Sequence, residues 1–171
     1  CAAFDASPQL TGWLIIGITA LMTGALHEDG LADTADGFGS GKDKARMLGI
    51  MKDSRIGSYG AIAMVLSFAL RATALASLIE TLPAKAAAAA FIAALVLSRG
   101  VMVWHWQALP AARDGCVAAM AGQPGERDRK GAIVCGLAIA ILLCLPFFSP
   151  LILVTVFAAL FGVTHLFNRL C

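Results

Sequence analysis

The chain has 171 residues, of which 59% are hydrophobic and only 14% charged, with a formal net charge of +2 and a mean hydropathy of +0.81. That is more apolar surface than a chain of this size can hide in one water-soluble core, which excludes a soluble globular domain. The small net charge, with basic residues gathered in loops instead of along a helical stripe, also excludes a nucleic-acid-binding protein.

Five apolar runs follow one another, at 9–26, 58–79, 86–107, 131–147 and 151–168. Each is about as long as a helix needs to cross a bilayer. Residues 6–26 and 131–168 contain no Asp, Glu, Lys or Arg, the segregation of charge that lipid imposes. Leu82-Pro83 and Ser149-Pro150 punctuate the runs as tight turns. The expected fold is therefore all-α, a polytopic transmembrane bundle of about five helices forming one domain over 1–171. Two longer connections remain, 27–57 and 108–130. The first carries Lys42, Lys44, Arg46, Lys52 and Arg55 and the second Arg113, Arg127, Arg129 and Lys130, so both are expected on the cytoplasmic side. Cys1, Cys116, Cys135, Cys144 and Cys171 form no CxxC pair, which points to neither a zinc site nor a disulfide framework.

The first connection opens with His27-Glu28-Asp29-Gly30-Leu31-Ala32-Asp33-Thr34-Ala35-Asp36-Gly37, four carboxylates within nine positions. In a helix, Asp29, Asp33 and Asp36 fall at i, i+4 and i+7 on one face, with Glu28 beside them. Like charges this close repel unless a cation lies among them. Oxygen-only donors select a hard divalent ion, and Mg²⁺ accepts a few carboxylates together with water and substrate phosphates. A solvated acidic loop is the plainer alternative. Further on, Asp53 stands between Lys52 and Arg55, where the two bases suit phosphate oxygens and Asp53 either adds a metal ligand or orients Arg55. The run Gly37-Phe38-Gly39-Ser40-Gly41-Lys42 does not make a P-loop, because Asp43 follows the lysine and no strand precedes it. It reads as a flexible loop able to offer backbone N–H groups to phosphate. Arg71 and Arg99 fall within apolar runs. Arg99 is a candidate for substrate phosphate, and Arg71 is expected to snorkel to the outer interface. His105, flanked by Trp104 and Trp106, reads as part of an interfacial aromatic belt.

The stretches HEDGLADTADGFGSG and IMKDSRIGSYG, between His27 and Gly60, closely resemble the core of the cobalamin synthase family, the adenosylcobinamide-GDP ribazoletransferases. A weaker likeness follows at Leu97-Ser98-Arg99 and Leu109-Pro110-Ala111-Ala112-Arg113. The resemblance implies a Mg²⁺-dependent transferase of the bacterial inner membrane, in contact with lipid and compatible with an oligomer. In it, α-ribazole or its 5′-phosphate attacks adenosylcobinamide-GDP and GMP is released. On that reading Glu28, Asp29, Asp33, Asp36 and Asp53 hold the metal, and Lys52, Arg55 and Arg99 hold phosphate. The hydroxyl proton passes to one of Glu28, Asp33 and Asp36. The family pattern also implies further apolar and glycine-rich segments at the two ends, so the chain reads as a fragment.

Two other readings stay open at the level of residues. Asp33, Asp36, Gly37, Gly49 and Asp53 satisfy part of the CDP-alcohol phosphotransferase pattern, which keeps the metal site and changes the substrate. A transporter would instead line a path with Arg71 and Arg99.

Overall fold

A computed structural model describes residues 6–41, 43–109 and 117–170. Lys42, Arg113, the Pro110–Arg113 part of the resemblance, and Cys1, Cys116 and Cys171 lie outside the described residues. All regular structure among those described is helical: α1 (Pro8–Met22), α2 (Leu26–Gly39), α3 (Lys44–Ile50), α4 (Ser58–Thr81), α5 (Ala84–Ala108), α6 (Val117–Ala121), α7 (Glu126–Cys144) and α8 (Pro150–Leu170). The helices group into two compact units, Cys1–Leu82 and Pro83–Cys171.

By length and composition α4, α5 and α8 can each cross a membrane, and the pair α1 and α2, bent by 91°, can form a fourth, broken span. The five apolar runs are all helical, but α7 does not qualify as a span, so the expected count of about five becomes three, or four with the bent pair, among the described residues. The first stops at Met22, and α7 begins with the charged turn Glu126-Arg127-Asp128-Arg129-Lys130. A run of hydropathy does not register either interruption.

In the first unit, Pro8 at the first helical position and the Ser7 hydroxyl, which accepts from Leu10 N–H at 3.2 Å, start α1. The helix packs against α4 through small residues. Ile16, Ala20, Ala72, Leu75 and Ala76 are buried, and a side chain on Gly12 would run into the Ala72 carbonyl. Small residues of this kind let membrane helices approach closely where lipid supplies no hydrophobic drive. Gly24 (φ +62°) and Ala25 (φ +55°) then turn left-handed, which ends α1 and sends α2 off at a steep angle.

In the second unit α5 and α7 lie antiparallel. Gly100 faces the Ala132 carbonyl and Gly136 faces Val96. Buried Ala93, Ala140 and Cys144 form a core covered by Leu97, Phe148, Leu153 and Phe157. His105 Nδ1 lies 2.5 Å from Asn168 Oδ1 and its ring stands against Phe167, a structural use of the kind expected for it. Cys135 and Cys144 are both free thiols.

Candidate active site

The segment 26–39 is a helix and not a loop, so the conditional spacing of its carboxylates is realised. Buried Glu28, Ala32 and Gly37 define the packed side of α2, and α2 lies along the first half of α4. Asp29 is exposed, Asp33 and Asp36 are half-buried, and Glu28 is buried.

Asp36 reaches the start of α4. Its Oδ2 accepts from Gly57 N–H at 2.7 Å and its Oδ1 from Gly60 N–H at 2.8 Å. Gly57 is the N-cap of α4 and supplies no capping side chain, so a carboxylate from another helix satisfies both positions that a capping box would serve. Its negative charge also lies at the positive end of the helix. Asp36, expected as a metal ligand and catalytic group, is thus engaged by the fold through both oxygens, each of which keeps a second lone pair. The approach requires glycine: a side chain on Gly60 would meet the Asp36 carboxylate and, at 3.0 Å, the Ala32 carbonyl. Gly60→Ala is expected to destabilise the protein by about 1–3 kcal/mol through overpacking. Gly49→Ala, where a side chain meets open space, should leave the thermal midpoint in detergent unchanged or raised.

Glu28 is 4% exposed and pairs with Arg71 at 3.0 Å, near the middle of α4. Arg71 Nε donates to the Ser67 carbonyl at 3.2 Å, and the guanidinium carbon lies 5.0 Å from the Phe68 ring centre. The expectation that Arg71 snorkels to the outer interface is corrected. Its side chain folds back toward the start of its own helix, the direction helical side chains favour, and finds an acid 43 positions earlier. Glu28 Oε2 is buried and has no hydrogen-bond partner.

The glycine-rich run is also corrected. Gly37 and Gly39 are helical, and the N–H groups of Ser40 and Gly41 donate to the carbonyls of Asp36 and Phe38, so they are not turned to a phosphate. The glycines serve packing instead, admitting the Met47 and Met51 side chains against Gly37 and the Tyr59 ring against Gly39. That brings α3 and the turn after it onto the end of α2. In the turn, Asp53 accepts from Arg55 Nε at 3.1 and 3.0 Å and from its terminal nitrogen at 2.6 Å. Of the two roles open to Asp53, the structure realises the one that orients Arg55. The Arg55 guanidinium and backbone N–H hold the Asp53 carboxyl below the usual carboxylate range. Lys52 is exposed beside them. Arg99 belongs to the second unit, where it is exposed and donates to Ser98 Oγ at 3.2 Å.

Among the described residues no three His, Cys, Asp or Glu side chains converge enough to hold a metal ion. Asp29 and Asp33 remain neighbours on one face of α2. A pair of carboxylates fits Mg²⁺, which is commonly held by one or two of them together with water and substrate phosphates, and does not fit an ion caged wholly by protein.

The profile of the cobalamin-5-phosphate synthase family matches residues 1–171. The chain belongs to this family. It is similar to proteins named adenosylcobinamide-GDP ribazoletransferase. The one from Sinorhizobium sp is 50% identical over 141 residues, covering 82% of this chain and 54% of the relative. That from Rhizobium meliloti (strain 1021) is 47% identical over 160 residues, covering 94% and 61%. That from Azorhizobium caulinodans is 46% identical over 170 residues, covering 95% and 63%. The chain therefore spans rather more than half the length of these relatives. No solved structure matches it. The acidic α2 helix thus belongs to a chain of the cobalamin-5-phosphate synthase family.

Proposed function

We propose that the chain carries the active site of a Mg²⁺-dependent adenosylcobinamide-GDP ribazoletransferase at the cytoplasmic face of a bacterial inner membrane. The observation that carries this reading is the family match over the whole chain, joined to a carboxylate face on a helix packed against a membrane span. A hydroxyl of α-ribazole, or of its 5′-phosphate, attacks the cobinamide-side phosphorus of adenosylcobinamide-GDP. The new P–O bond forms as the bridging P–O bond to GMP breaks. Asp33, half-buried on the carboxylate face, takes the hydroxyl proton. Asp29 and Asp33 are the residues that would hold Mg²⁺; when bound, it supplies charge neutralisation on the pyrophosphate. Lys52 and Arg55 hold phosphate oxygens, with Asp53 fixing the plane of the guanidinium.

The test is GMP release from adenosylcobinamide-GDP and α-ribazole in detergent, by this chain and by a polypeptide of the relatives' full length containing it. Release that requires Mg²⁺ is the expected result. No release from either polypeptide at any Mg²⁺ concentration would overturn the reading.

A further inference from the structure

Within the second unit, α5, α7 and α8 line an open cleft of about 370 Å³, within the range of small-ligand sites. Gly100, Trp104, Gly136, Phe157 and Phe161 contribute to its wall, and Arg129 lines it from the first turn of α7. All other α7 residues on the wall lie C-terminal to Arg129, so the guanidinium stands at one end of an otherwise apolar slot. The antiparallel pairing of Gly100 with Ala132 places that end near Trp104, about one turn before α5 finishes.

Arg129 is poorly satisfied by its own protein. Its Nε is buried without a hydrogen-bond partner, and its terminal nitrogen lies 3.5 Å from Glu126 Oε1, an oxygen that Lys130 holds more closely at 2.9 Å. Asp128, the other acid of the turn, is directed to Gly125 N–H at 2.9 Å. A cation at the end of membrane-length helices, beside an apolar slot, with a buried Nε unpaired and its one acid shared with Lys130, asks for an anionic partner with an apolar body.

The lining narrows the class. Apart from Arg129, the only side chain among the described residues of the wall with a hydrogen-bonding group is Trp104, through its indole N–H. A nucleoside would bring ring nitrogens and ribose hydroxyls into a space that cannot satisfy them, at a real desolvation cost. An acyl chain makes no such demand. We propose that this slot binds an anionic phospholipid, with one acyl chain between Gly100, Gly136 and Phe157 and the headgroup phosphate paired with Arg129.

Native mass spectrometry of the chain in detergent, titrated with phosphatidylglycerol or phosphatidylcholine of identical acyl chains, tests this. Wild type should retain phosphatidylglycerol about five- to tenfold more strongly, the preference one well-placed arginine supplies. Arg129→Ala should abolish the preference. Arg127→Ala removes the same charge from the same turn but off the slot and should preserve it. Ala158→Phe, which fills the slot from α8, should weaken both lipids. Equal retention of the two lipids by wild type would overturn the proposal, as would equal loss in the Arg127 and Arg129 variants. Displacement of bound phosphatidylglycerol by α-ribazole 5′-phosphate would do the same, marking a nucleotide site instead.

Discussion

Asp33→Asn is expected to lower the rate of GMP release about 10²- to 10⁴-fold, the range for loss of a general base, and to do so at every Mg²⁺ concentration. Asp29→Asn should behave differently. It removes charge from the exposed neighbour on the same helical face, so it should raise the Mg²⁺ concentration needed for half-maximal rate and recover as the ion is added. The distinction follows from position. Asp29 meets solvent, where an ion and its waters have room, whereas half-buried Asp33 is less hydrated than Asp29. Mg²⁺ titrations of the two variants under saturating substrate check this. If both lose rate in parallel and neither recovers, the division of roles is wrong, and the two carboxylates act as a unit.

The largest stability effect should come from Arg71→Met, which strands Glu28 at 5% side-chain exposure without its counter-charge. Breaking a buried ion pair by removing one partner typically costs 3–5 kcal/mol. Because the Arg71 side chain is 40% exposed, about 3 kcal/mol is the appropriate expectation. Adding Glu28→Gln to the same protein should restore most of the loss, since a neutral amide no longer needs the cation. Thermal unfolding midpoints in detergent for the two single variants and the double variant form the cycle. Additive losses would mean that the pair seen between α2 and α4 contributes nothing.

The sequence revealed the helical class and the acidic segment that becomes α2, for separate reasons. Charge-free runs as long as 131–168 leave little alternative to membrane helices, and the spacing of Asp29, Asp33 and Asp36 anticipates a shared face. The helical state of 26–39 was harder to read. Gly30, Gly37 and Gly39 argue against a helix on local propensity, and tertiary packing offsets that cost through Met47 and Met51 seated on Gly37 and Tyr59 on Gly39. The contact of Glu28 with Arg71 was equally hidden. An arginine inside an apolar run announces a partner, but a separation of 43 residues says nothing of which acid it is until the 91° break at Gly24 and Ala25 turns α2 back along α4. Asp36 shows the same limit from the other side. Its residue type suits a metal, and its use as a cap depends on where α4 begins.

That cap has a chemical consequence. A 24-residue helix ordinarily offers incoming phosphate a cradle of free N–H groups at its start, and here the protein's own carboxylate already occupies part of it. Under the proposed function, a pyrophosphate arriving beside α2 meets a helix end whose positive field the Asp36 carboxylate already partly offsets. On that reading it is gripped by exposed cationic side chains and a dissociable ion. Affinity at such a surface should follow ionic strength and metal supply far more steeply than it would in a pocket lined by backbone amides.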